Sequence, residues 1–86
     1  MDKVILIICY EQHYLVKYEE NNFSHDCKSE KEVFNCVCKL IRLKSSEIDH
    51  LEIQEEGMVQ QNWTCEEFAS ILEVCYPDLY RDHWLA

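Results

Sequence analysis

Residues 3–10 form a nearly unbroken apolar and β-branched run from Lys3 to Tyr10. Such a run predicts a strand covered on both faces and central to its sheet. The pattern changes over residues 13–19, where Tyr14, Val16 and Tyr18 alternate with His13, Leu15 and Lys17. Period-two alternation predicts a second strand with two unlike faces. The short Glu11-Gln12 connection suggests a hairpin, although it lacks the glycine that such turns favour. Asn21-Asn22 then marks a loop.

Ser29-Glu30-Lys31-Glu32 reads as a capping box, with the Ser29 hydroxyl accepting from the Glu32 amide and the Glu32 carboxylate returning to the cap. The helix it opens should run to about Lys44. Val33, Val37, Leu40 and the Lys44 stem, flanked by Phe34, Ile41 and Leu43, form its buried stripe, and Lys31, Asn35, Lys39 and Arg42 its outer face. Alternation returns from His50 to Glu55, with Leu51 and Ile53 inward, predicting a third strand that ends near Gly57. Thr64-Cys65-Glu66-Glu67 is a second capping box, and Trp63 with Phe68 has the spacing of a hydrophobic staple. Phe68, Ile71, Leu72 and Cys75 mark the inner face of this second helix, which Pro77 should end near Tyr76. Leu79 and Trp84 are expected to dock a last helical turn on the core.

The predicted order is β-β-α-β-α in one α+β domain spanning residues 1–86, since a chain this short supports a single core. The expected architecture is a two-layer sandwich. Its three-stranded antiparallel sheet has order 2-1-3, and two helices pack on one face. The other sheet face is then left to water or a partner.

Composition narrows the function. One Gly and one Pro exclude Gly-rich phosphate loops and linker-rich chains. A formal charge of −9 argues against direct binding to nucleic acid or anionic membrane, both of which attract Lys and Arg. The first apolar run is too short and too soon interrupted for a signal peptide, so a cytoplasmic location is expected. The excess charge is one-sided. Residues 1–44 hold seven acids and seven bases, whereas residues 45–86 hold ten acids and one base, Arg81.

Glu47, Asp49, Glu52, Glu55, Glu56, Glu66, Glu67 and Glu73 are therefore the expected partner-binding residues, forming an acidic surface that docks on a basic one. In its concrete form this is a small protein-binding inhibitor, of the phage-encoded anti-nuclease or anti-CRISPR kind. It would occupy the nucleic-acid-binding surface of an enzyme by charge mimicry of DNA. Tyr14 and Tyr18 share a strand face, and a helix-free aromatic face would add a second binding or homodimer surface.

Other chemistry is less well supplied. Six cysteines invite a disulfide framework, but an intracellular chain with long apolar runs is expected to keep them reduced and structural. Zinc needs about four converging thiolate or imidazole ligands. His25 and Cys27 are the nearest pair, and a small Cys/His zinc-binding module built on them is the alternative function. Cys36 and Cys38 fall two apart on a helix and point away from each other. Cys65, at a helix start, is the one position where a thiol could be activated. No cofactor and no catalytic activity are expected.

Overall fold

In the computed structural model, residues 3–44 and 47–85 are described, and they form a five-stranded mixed sheet with helices on one face. The strands are β1 (Val4–Cys9), β2 (Tyr14–Tyr18), β3 (Phe23–Cys27), β4 (His50–Glu55) and β5 (Met58–Trp63). The helices are α1 (Glu30–Lys44), α2 (Cys65–Cys75) and the short α3 (Pro77–Tyr80), which continues into a π-helical turn at Arg81–Leu85. Sheet order is β3-β2-β1-β4-β5. β1 is central, as its apolar run predicts, and β2 and β4 flank it.

The α+β class and the placing of residues 50–55 beside β1, opposite β2, match the sequence reading. The strand count and one direction do not. β3, with the polar sequence Phe23-Ser24-His25-Asp26-Cys27, pairs antiparallel with β2 at the sheet edge. This extra pass reverses the chain before α1, so β4 returns parallel to β1, with Ile5 opposite Leu51 and Ile7 opposite Ile53. The expected antiparallel third strand is thereby corrected. β5 carries little apolar signal, because Met58–Trp63 runs through Gln60, Gln61 and Asn62 and is exposed at every position but Trp63. Glu56 and Gly57 both have positive φ, 53° and 78°, as a two-residue type I′ hairpin between β4 and β5 requires.

β1 is buried on one face only, not on both as its unbroken run predicts. Ile5 and Ile7 lie in the core, while Val4, Leu6 and Ile8 are only half-buried. Val16 and Tyr18 share the covered face, and Tyr18 is fully buried. The aromatic face of β2 is therefore the helix-covered one, and its uncovered face carries Leu15 and Lys17.

Ser29 caps α1, accepting from the Glu32 amide at 3.2 Å. The Glu32 carboxylate accepts from the Lys28 amide at 2.8 Å, one residue before the expected cap amide. Val33, Phe34, Val37, Leu40 and Ile41 are buried as predicted, together with Cys36 and Cys38. The side chains of Leu43 and Lys44 lie outside the described set. Asn35 is not on a solvated face: its Oδ1 lies 3.2 Å from His83 Nε2, tying the C-terminal turn to α1. The second capping box is reciprocal, at 3.0 Å in both directions between Thr64 and Glu67. Phe68 and Leu72 are fully buried on α2, but Cys75, expected inside, is exposed. Phe68 stacks on Phe34 at 5.2 Å and meets Trp84 at 6.3 Å, so the final turn docks as expected.

Candidate partner-binding surfaces

The parallel pair gives the molecule two distinct ends. β1 and β4 finish together at Cys9 and Glu55, and α1 begins beside them because β3 delivers the chain to that end. A cleft of about 370 Å³ opens there between the first turns of α1 and the outer strands. Ile7, Val33 and Ile53 form its floor, Phe34 and Trp63 its aromatic wall, and Glu30 and Glu55 are its carboxylates. Over the ends of the strands a groove of about 820 Å³ adjoins it through Cys9 and Glu55. That groove adds Tyr10, Glu11 and Glu56. Tyr10 is half-exposed and stacks on His13 at 4.7 Å.

Among the described residues, no Lys or Arg lines either cavity. Burial, then the charges of Glu55 and Glu30, push the Cys9 thiol above its ordinary range. Cys9 thus feels a carboxylate from the end of β4 and another from the start of α1. The Tyr76 hydroxyl is raised as well, first by burial and then by the Glu30 carboxylate. Gln60, the unpaired residue of a β-bulge opposite Ile53 and Gln54, lines the cleft beside Gln61. A bulge of this kind re-aims side chains at a strand edge.

The eight sequence-predicted acids do not form one continuous face. Glu55 and Glu56 reach the strand-carboxyl end just described. Glu47 and Asp49 precede β4 at the opposite end, about 17 Å away at about 3.3 Å per residue along β4. Glu66 and Glu67 join them there, since Cys65 Sγ lies 4.0 Å from the Ile48 carbonyl. Two of these four are already engaged. Asp49 accepts from the Lys3 amide at 2.7 Å, and Glu67 from the Thr64 amide. Glu52 lies on the uncovered sheet face, near His50 at 3.5 Å and Gln54 at 3.4 Å. Glu73 is exposed on α2. Among the described residues, the bases of α1 neutralise none of the eight.

Glu11 and Glu30 do not stand out in the sequence, because the first half of the chain is formally neutral and Glu30 belongs to a capping box. The usable signal is their position, at the turn after β1 and at the start of the crossover helix.

Cysteine and metal chemistry find little footing. All six thiols are free. Burial pushes Cys65 up rather than leaving it activated by the helix start. Cys36 and Cys38 are pushed up to about 11 and about 12, in each case chiefly by burial. Cys27 lies in the core against Cys36, and His25 is exposed at the sheet edge. Among the described residues no group of three or more His, Cys, Asp or Glu side chains converges as a metal site. No described helix is long and apolar enough to cross a membrane.

The fold and its surfaces define a small α+β domain with an acidic, aromatic-walled cleft at the carboxyl ends of its parallel strands. No protein-family model, curated protein or solved structure matches the chain.

Proposed function

We propose that this domain is a non-catalytic binding protein for a basic protein partner, and that the cleft at the carboxyl ends of β1 and β4 seats a cationic side chain of that partner. The observation that carries this reading is the pairing of Glu30 and Glu55 around Cys9 in an aromatic-walled cleft lined by no described Lys or Arg. A guanidinium suits such a place better than an ammonium. It accepts bidentate pairing with a carboxylate and stacks on an aromatic ring. The crevice outside the carboxyl ends of parallel strands is also where open α/β sheets commonly bind ligands.

The remaining acids act at longer range. Glu47, Asp49, Glu66 and Glu73 contribute to a field that steers a basic surface toward the domain, and Glu56 stands at the mouth of the groove. In its concrete form, the domain inhibits a nucleic-acid-processing enzyme by occupying its basic surface in place of phosphates. Partner binding would involve the strand-carboxyl end first and the distant acids second.

Titration with a nona-arginine peptide, followed calorimetrically, tests the reading. Binding should weaken about tenfold between low and high salt, because exposed charge attraction is screened over about 8–10 Å at physiological ionic strength. Glu30→Gln with Glu55→Gln should weaken it by a similar factor while leaving the circular dichroism melt in place. Glu47→Gln with Glu73→Gln removes the same charge elsewhere and should cost much less. Equal losses from both pairs would reduce the cleft to general electrostatics and overturn its assigned role.

A further inference from the structure

The uncovered face of the sheet carries a second feature, independent of the cleft. Val4, Leu6 and Ile8 point away from the helices, as does Leu15 on β2, and none of the four belongs to the core or packs against it. The most apolar strand of the chain thus leaves three of its five aliphatic side chains only half-buried. Charges sit beside it in a definite register. Leu6 is opposite Lys17 on β2 and opposite Glu52 on β4, so Lys17, Leu6 and Glu52 form one row across three adjacent strands. Lys17 is half-buried on this face, and no described carboxylate lies within ion-pair distance of it. The same row continues outward to Ser24 on β3 and Asn62 on β5.

We infer that this face binds a second copy of the chain, two sheets packing face to face about a two-fold axis running roughly along β1. That axis exchanges the two sides of β1. It sets Lys17 of each copy over Glu52 of the other, Ser24 over Asn62, and the Val4-Leu6-Ile8 stripe on its own mate. Stacked sheets lie about 10 Å apart, within reach of interdigitating aliphatic side chains and of a Lys–Glu pair. A two-fold axis across the strands would instead place Lys17 over Lys17 and Glu52 over Glu52, which like-charge repulsion disfavours. The row is self-complementary in one orientation only. A second copy is favoured over a basic partner here because the face carries both signs around an apolar centre.

The face is small. Five strands at about 4.8 Å spacing and six residues at about 3.3 Å cover only ~480 Å² in projection, against about 800 Å² per partner in a standard interface. The dimer is therefore reversible and concentration-dependent. The helix-side cleft remains open in it.

Sedimentation equilibrium over a micromolar to millimolar range tests the inference. Wild-type protein should move from monomer to dimer with concentration. Lys17→Glu and Glu52→Lys should each weaken association at least about tenfold, as like charges then meet across the interface. Mixing these two variants should restore it, since a K17E copy and an E52K copy set opposite charges against each other at both positions. The double variant K17E/E52K should self-associate like wild type. Melting temperatures of all four proteins report folding separately, and Lys17→Ala with Glu52→Ala serves if a reversal fails to fold. A wild type that stays monomeric throughout would overturn the inference. So would a dimer indifferent to either single reversal, or a mixture no more associated than its components.

Discussion

The two faces of β1 are built from similar residues and have opposite fates. Along β1, Ile5 and Ile7 are at most 5% exposed, yet Val4, Leu6 and Ile8, equally aliphatic and one position out of step, remain half-open. Strand propensity cannot distinguish the two sets. What distinguishes them is where α1 and α2 lie, because alternating side chains feel only the layer on their own side. Stability therefore resides in the covered face, while the open face and the strand-carboxyl end are available for recognition.

That contrast can be broken in several ways. The largest expected difference is in thiol reactivity. Cys38 is fully buried with its thiol pushed up to about 12, whereas Cys75 is exposed. Iodoacetamide should modify Cys75 at least about a thousandfold faster at pH 8, since Cys38 reacts only through opening of the fold. The same burial makes stability sensitive to alkali. A thiol whose ionisation is raised on folding, from 9.0 to about 11 for Cys36 and about 12 for Cys38, contributes stability that is intact below pH 9. The unfolded chain releases those protons first, so that contribution falls as pH rises from 9.0 through about 11 to about 12. Melts in that window should shift downward for wild type and less for a Cys36→Ala variant compared with its own value at about pH 8.

On the covered face, Phe68→Ala removes a fully buried ring stacked on Phe34 and should cost about 3–5 kcal/mol. For a domain of this size that lowers the melting temperature by more than about 12 °C. Thr64→Ala unmakes the reciprocal cap of α2 and should cost about 1 kcal/mol in denaturant unfolding. Leu6→Ala, on the open face, should change monomer stability by only about 0.5 kcal/mol when measured at low concentration. A loss from Leu6→Ala as large as that from Phe68→Ala would mean that this face is covered after all.

Much of the covered layer was legible in the sequence because its signals are local and redundant. The Thr64 box, the Phe68–Leu72 stripe and the Val33–Ile41 stripe each join a periodic apolar pattern to a helix start. β3 and β5 were not legible. Ser24, His25, Asp26 and Gln60, Gln61, Asn62 lie on the two edge strands, where few side chains need burial and the backbone ladder alone defines the pairing. β3 matters beyond its own pairing, because its single extra pass sets both the parallel direction of β4 and the end at which Glu30 and Glu55 line one cleft. The one-sided charge of the chain was visible, but its division between two ends depends on register. Counting acids along a half-chain could not reveal it, since Asp49 and Glu55 bracket the same strand and therefore stand at opposite ends of the molecule.

The cleft is the centre of the proposed function, and amide chemical-shift mapping with the arginine peptide tests it most directly. The largest shifts are expected at Cys9, Tyr14, Glu30, Glu55 and Gln61, with Leu6, Ile8 and Leu15 nearly still at monomer concentrations. Shifts centred on the open face, or spread evenly over Glu47, Glu66 and Glu73 with the cleft unmoved, would contradict it.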